Sequence, residues 1–208
     1  YYTTFNRSNV ELITEGIERI GTKGVVTSDG RLREADILIL ATGFETTRFL
    51  AAIDVTGREG TRLGDVWKDG AYAYMGLMVP RFPNLFMMYG PNTNNGSIVE
   101  MIEKQVGFAM QQIDRIDAEN LDRLEIKSEA TDAYNDALQN DINSVGVWQA
   151  DCANYYRSPS GRIVTQWPHN MGTYAKRVGD VESDGFELSL IQIRRGRTPH
   201  TSSTRCYP

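Results

Sequence analysis

Asp36-Ile-Leu-Ile-Leu-Ala-Thr-Gly-Phe44 decides how this sequence reads. One acid precedes a run of five apolar residues, and the run stops at Thr42-Gly43. A short continuous apolar run closed by a turn signal suits a strand buried on both faces. Such a strand is expected in the middle of a parallel sheet, with its carboxyl end opening onto a ligand crevice. Gly43 permits a tight turn or a close approach of the backbone to another group. The plainer alternative is a core strand followed by an ordinary loop.

A second stretch adds to this. Arg81-Phe-Pro-Asn-Leu-Phe-Met-Met-Tyr-Gly-Pro-Asn-Thr93 predicts another buried strand, ending in Gly90-Pro91. The ordered set of Asp-x-x-x-x-Ala-Thr-Gly-Phe, then Phe-Pro-Asn-Leu-Phe, then Gly-Pro resembles the flavin-dependent monooxygenases, in particular the Baeyer–Villiger monooxygenases. The resemblance continues through Tyr1-Tyr2, Phe5-Asn6-Arg7, Asn9-Val10, Ile102-Glu103 and Trp167, and it covers most of residues 1–178. Ala-Thr-Gly alone is a weak signal, whereas the ordered set is specific. The resemblance implies an α/β fold, a partial two-dinucleotide-binding-domain (Rossmann-like) flavoprotein of which only the carboxyl-terminal portion is present. Residues 1–42 would end an NADPH-binding domain, and 43–178 would form the carboxyl-terminal part of an FAD-binding domain. Residues 179–208 would be an extension whose last part is expected to be mobile.

Composition fits a soluble globular chain. The 208 residues are 40% hydrophobic and 24% charged, with a net charge of -5. An acidic balance suggests neither nucleic acid nor an anionic membrane as a partner. No apolar run approaches the roughly eighteen residues of a spanning helix. Cys152 and Cys206 make neither a disulfide framework nor a metal set, and a reducing cytoplasm is the default expectation. The sequence contains no G-x-G-x-x-G; Gly57-x-x-Gly60 and Gly60-x-x-x-Gly64 lie among polar residues without a strand before them or a helix after. A complete enzyme of the resembled family carries two such fingerprints, for FAD and NADPH. With a start in mid-element at Tyr1-Tyr2-Thr3-Thr4-Phe5, the chain is expected to be a fragment. Its partner would be the amino-terminal portion of the same enzyme, and by itself it would be inactive.

Residues 10–13 predict a short strand. Residues 24–27 and 31–34 predict a hairpin around Asp29-Gly30, the strongest local hairpin signal in the chain. Residues 45–80 read as loop-rich, with Val66-Trp67 and Tyr72-Ala-Tyr74 as packing anchors. Ser97-Ile-Val-Glu100 is a capping box. The helix it opens carries Ile98, Met101, Ile102, Val106, Ala109, Met110, Ile113 and Ile116 at spacings of three and four, expected to be its core face. Residues 121–126 predict a short extended piece. A second helix is predicted from Ser128 to about Asn143, with Ser128 as its cap and Ala133, Ala137, Leu138 and Ile142 inward. Residues 148–178 read as irregular and aromatic, apart from a short strand at Ile163-Val164.

The resemblance supplies candidate site residues. The start of the Ser97 helix would approach a flavin ring, so Ser97, Ile98 and Val99 would lie near the isoalloxazine mainly through backbone amides. A helix amino terminus stabilises developing negative charge there by roughly a kcal/mol. Asn94 and Asn95 would sit on the substrate side; read without the resemblance, they form a polar turn. Thr42 and Gly43 would lie beside the cofactors at the domain crossover. Tyr155 stands where the family often has a Trp contacting the nicotinamide nucleotide, and a Tyr can still stack and donate a hydrogen bond. His169 and His200 have no partners at metal or triad spacing and read as surface residues, and no metal site is expected. The implied reaction inserts one oxygen atom of O2 into a small-molecule ketone, giving an ester or lactone by way of a flavin peroxide. The family's catalytic Arg lies upstream of these residues, so the catalytic residues stay unknown. N- or S-oxygenation by a related flavin monooxygenase, and a non-catalytic binding module, remain the alternatives.

Overall fold

The computed structural model describes residues 1–150, 156–181 and 183–190. It divides into two units, Tyr1–Gly43 and Phe44–Pro208. The first unit is a small antiparallel sheet in the order β1 (Ile17–Gly21), β2 (Gly24–Thr27), β3 (Leu32–Glu34). The β2–β3 hairpin forms at Asp29-Gly30, as its local chemistry dictates. Gly30 takes φ 80°, its amide donates to the Thr27 carbonyl at 2.8 Å, and the Thr27 hydroxyl donates to the Asp29 carboxylate at 2.6 Å. The Thr27 hydroxyl bond first, and then the Arg31 amide donating to Asp29 at 3.1 Å, hold the Asp29 carboxyl below the usual carboxylate range. Residues 10–13 form no strand; the strand that pairs with β2 is β1, four residues further on.

The expected buried strand at 36–41 is not formed. These residues belong to no strand and are exposed, with Ile37 at 81% and Ile39 at 82% relative exposure. The reason is pairing. A strand exists only where a neighbour takes its amides and carbonyls, and none of the described strands runs beside this segment. The apolar run therefore stands in solvent, which its composition alone does not favour.

The second unit packs around two apolar clusters. One joins Met75, Leu77, Met78, Met101, Phe108, Leu124, Leu138, Ile142, Trp167, Tyr174 and Phe186. The other joins Leu63, Trp67, Ala71, Ala73, Val79, Phe82 and Met87, and confirms Trp67 as an anchor, its indole N–H donating to the Tyr72 carbonyl at 2.8 Å. The short α1 (Leu63–Val66) precedes Trp67. The 81–93 stretch is not a strand. Arg81, Asn84, Tyr89 and Asn92 all take left-handed φ, which breaks the two-residue repeat a strand needs.

Helix α2 (Ile98–Ala118) begins where the capping box predicts, and Ser97 Oγ accepts from the Glu100 amide at 3.3 Å. Its buried face is Met101, Gln105, Phe108 and Ala109, packed on β4 (Leu121–Ile126) and α4 (Met171–Gly179). Of the expected stripe, Ile98, Val106, Met110 and Ile113 are exposed, while Ile102 and Ile116 are half-buried. Helix α3 (Ser128–Asn143) has Lys127, not Ser128, at its N-cap, with no side-chain cap bond. Its inward residues are Thr131, Asn135, Leu138 and Ile142; Ala133 and Ala137 face out. Thr131 and Asn135 are held inside by bonds to backbone carbonyls, from Thr131 Oγ1 to Lys127 at 3.0 Å and from Asn135 Nδ2 to Thr131 at 2.8 Å. Within the stretch expected to be irregular lies α4, capped by Asn170, whose Oδ1 accepts from the Thr173 amide at 2.9 Å. Ile163 makes only an isolated bridge to Arg157. Strand β5 (Phe186–Leu190) pairs antiparallel with β4, so part of the carboxyl-terminal extension joins the core.

Candidate functional site

Two irregular segments of the second unit, 89–97 and 163–167, are laced together. The Asn92 amide donates to the Val164 carbonyl at 2.8 Å, and Asn92 Nδ2 donates to the carbonyls of Ile163 and Gln166, each at 3.0 Å. The Asn94 amide donates to Thr165 and the Trp167 amide donates back to Asn94, both at 2.8 Å. Asn94 and Gln166 thus form a parallel bridge. Asn95 Nδ2 donates to the Trp167 carbonyl at 3.0 Å, and the Tyr89 hydroxyl donates to Asn94 Oδ1 at 2.8 Å. Asn92 suits its φ of 57°, because Asn tolerates the left-handed region better than most residues.

Below this loop runs a buried polar chain. Gln105 Oε1 accepts from the Tyr89 amide at 2.7 Å, Gln105 Nε2 donates to the Tyr174 hydroxyl at 2.9 Å, and that hydroxyl donates to the Met75 carbonyl at 2.7 Å. Burial pushes the Tyr174 phenol above the usual tyrosine range, against the opposing effect of the Gln105 bond. Burial likewise raises Tyr89. The loop is fixed from beneath by groups that have nowhere else to bond.

The candidate residues divide between the units. Thr42 and Gly43 end the first unit and are exposed. Gly43 has φ 82°, but a Cβ added there would meet no atom within 4 Å, so the turn and not crowding calls for glycine. Asn94, Asn95, Ser97, Ile98 and Val99 stand together in the second unit, Asn94 half-buried and the others exposed. Tyr155, Cys152, Cys206, His200 and the tail expected to be mobile lie outside the described residues. Among the described residues no group of three or more His, Cys, Asp or Glu could hold a metal, and no helix is long and apolar enough to cross a membrane.

Sequence reasoning missed a polar cluster. His169 Nε2 lies 2.8 Å from Asp141 Oδ2, Arg177 lies 3.3 Å from His169, and the Arg177 guanidinium sits 5.4 Å from the centre of the Trp167 ring. His169 is therefore partnered and part-buried rather than a free surface residue. Its carboxylate partner is 28 positions away in sequence, beyond the reach of any local spacing. Gln105 and Thr165 were missed too, because a polar residue inside an apolar stripe carries no signal that it is buried.

The second unit has two neighbouring recesses, of which only the smaller is lined by this loop. The larger one, of about 570 Å³, carries charge from Glu45, Arg48, Asp54, Arg62, Asp65, Lys68 and Arg157. A smaller one of about 180 Å³ is lined by Phe49, Tyr89, Thr93, Asn94, Tyr156 and Thr165, among others, with no charged side chain. Thr46 and Phe49 border both.

No protein-family model matches the chain. A Baeyer–Villiger monooxygenase of Pseudomonas aeruginosa is 38% identical over 197 residues, 93% of this chain and 37% of that protein. The chain is related to the Baeyer–Villiger-type flavin monooxygenases. An FAD-binding monooxygenase of Aspergillus niger is 37% identical over 194 residues, 90% of this chain and 32% of that protein. Among solved structures, closed cyclohexanone monooxygenase superimposes with a TM-score of 0.79 at 28% identity, over 92% of this chain and 38% of the other. Cyclohexanone monooxygenase of Rhodococcus bound to NADP+ gives 0.77 at 28% identity, over 92% and 38%. The flavin monooxygenase fold is therefore present in part, and the chain spans about a third of the length of the relatives it matches.

Proposed function

We propose that the chain is the carboxyl-terminal part of an FAD- and NADPH-dependent monooxygenase that inserts one oxygen atom of O2 into a small-molecule ketone, giving an ester or lactone. The observation that carries this reading is the 38% identity, over 93% of the chain, to a protein named as a Baeyer–Villiger monooxygenase. Names and bound cofactors of other relatives agree, including an FAD-binding monooxygenase and a structure complexed with FAD and NADP.

The donor set suits the flavin's polar edge in one respect. Ser97 satisfies the Glu100 amide, which leaves the amides of Ile98 and Val99 with no partner among the described residues. Unpaired amides at a helix start favour negative charge. These two amides would hold the flavin's carbonyl edge, while Asn94 and Asn95, pinned by Thr165 and Trp167, would orient the substrate beside it. The sequence holds no glycine-rich turn for the pyrophosphate, so that contact falls to the remainder of the longer protein. When bound, the flavin supplies the oxygen-transfer chemistry, and this chain's part is positioning and the exclusion of water.

The test is made on the longer protein that carries this chain, loaded with FAD. Cyclohexanone, NADPH and air should yield lactone in step with NADPH consumption. Oxygenation of amines or sulfides without lactone would favour the N- or S-oxygenating reading. A flavin-loaded protein that oxygenates none of them would remove the proposal.

A further inference from the structure

Asn95 takes φ 150°, a backbone conformation that residues with a side chain rarely adopt. Such a conformation persists only where the surroundings over-determine it. Among the described residues the Asn95 side chain has one hydrogen bond, from Nδ2 to the Trp167 carbonyl at 3.0 Å. The Trp167 amide also donates to the Asn94 carbonyl at 2.8 Å. The backbone of one residue therefore holds both asparagines, and whatever fixes Trp167 fixes their turn.

The Trp167 ring is buried and held from several sides. Tyr174 and His169 meet it edge-on, each with ring centres 5.2 Å apart, and the Arg177 guanidinium lies over it. Tyr174 is tied to the core through Gln105 and Met75. His169 and Arg177 are tied instead to Asp141, at 2.8 Å and 3.5 Å. Asp141 stands in the last turn of α3, where the helix's own free carbonyls disfavour a negative charge. Its favourable partners are on α4 and the segment before it, not on its own helix. His169 Nε2 has two neighbours, Asp141 Oδ2 and Arg177 Nη2. A carboxylate needs a proton on that nitrogen and a guanidinium needs a lone pair, so one nitrogen cannot serve both. The shorter contact assigns the proton to the Asp141 bond. Arg177 is left to the Asp141 carboxylate and the Trp167 ring, a cation held over an indole.

We propose that Asp141, His169 and Arg177 are positioning residues for the Asn94-Asn95 turn, acting through Trp167. Asp141 sets Arg177 and His169, these set the indole, and the Trp167 backbone holds Asn94 and keeps Asn95 in its strained conformation. As a statement about this site, the inference rests on the reading above that the turn faces the substrate. Its new content is that a polar cluster on α3 and α4, remote in sequence, governs the turn.

The experiment is amide-resolved hydrogen exchange on the 208-residue chain without flavin. Asp141→Asn keeps the shape and removes the charge, and Arg177→Met keeps the stem and removes the guanidinium. Each should speed exchange of the Asn94 and Trp167 amides about tenfold, the scale of one desolvated cation–ring contact, while the amides of Leu138 in α3 and Val178 in α4 keep their wild-type rates. The double variant should exchange about as fast as Arg177→Met alone, because Asp141 acts largely through Arg177. Arg177→Lys, which keeps a cation, should restore most of the protection. Arg115→Met, which breaks an exposed pair with Glu119, should change nothing at the turn. An equal rise throughout α3 and α4 would make the cluster a stabiliser of the fold and overturn the assignment, as would unchanged exchange at Asn94 and Trp167. The measurement needs no turnover. Selective loss of protection in a protein that oxygenates nothing would keep the control of the turn and remove the proposed function. Lactone formation by the longer protein with KM for cyclohexanone unchanged in Arg177→Met would keep the proposed function and remove this inference.

Discussion

Gln105 Nε2 donates to the Tyr174 hydroxyl across 2.9 Å, and neither residue has any measurable exposure. The same glutamine receives the Tyr89 amide, so α2 and α4 are tied to the candidate loop through one side chain. Tyr174→Phe should strand Gln105 Nε2 and the Met75 carbonyl, lowering stability by about 1–3 kcal/mol. Gln105→Leu should cost a similar amount by stranding the Tyr89 amide. Because they share one chain of bonds, the double variant should lose less than the sum, with a coupling of about 0.5–3 kcal/mol by denaturant unfolding. Strict additivity would mean that the two residues act separately.

Burial raises both the Tyr134 and Tyr174 phenols above the ordinary tyrosine value, and Tyr134 Oη has no partner among the described residues. In the unfolded chain these phenols ionise near pH 10, while in the fold they stay protonated beyond it. The stability they contribute is therefore complete below about pH 10 and falls as the pH rises above it, by at most about 1.4 kcal/mol per pH unit for each phenol. Tyr134→Phe removes a hydroxyl with no partner among the described residues. It should leave neutral-pH stability within about 1 kcal/mol of wild type and flatten the alkaline slope. Urea unfolding from about pH 8 to about pH 11 measures both, and an unchanged slope would show that the phenol ionises in the fold.

Local chemistry was legible in the sequence, and pairing at a distance was not. The Asp29-Gly30 hairpin and the Ser97 cap are decided within five residues, and both formed. Helix α2 was legible as a helix, yet half its apolar stripe proved exposed, because the stripe is wider than the surface that β4 and α4 cover. Gln105 and Phe108 took the interior because Tyr89 and Tyr174 offer the amide its partners and Phe86 and Phe186 flank the ring. The strand at 36–41 failed for want of a neighbour. Of the candidate site, the Asn94–Val99 group is proposed from resemblance, while Thr165 and the Asp141–His169–Arg177 cluster depend on contacts that no local pattern announces.

Exposed apolar residues at 37–40 should make the isolated chain self-associate, since an unpaired apolar segment is a ready template for another copy. Ile39→Lys should change unfolding free energy by no more than about 0.5 kcal/mol, because no burial is lost. It should also shift sedimentation of concentrated samples toward monomer. Large destabilisation of the isolated chain would show that Ile39 is already covered there.

The start of α2 separates two roles that one residue could confuse. Ser97 Oγ accepts from the Glu100 amide, so Ser97→Ala should cost about 1 kcal/mol of stability. It should leave the amide field at the helix start almost unchanged, since that field belongs to the backbone. Ile98 is exposed and its amide has no partner among the described residues, so Ile98→Pro should be tolerated in the first turn while deleting one donor. In the flavin-loaded longer protein, losing a donor to the anionic reduced ring should lower the reduction potential by about 30 mV for each 1.4 kcal/mol of lost stabilisation. Redox titration should therefore find wild-type potential in Ser97→Ala and a lower one in Ile98→Pro. Melting should rank them the other way, with Ser97→Ala the less stable of the two. Equal potentials in all three proteins, with helicity intact by circular dichroism, would mean that these amides face water and not the flavin.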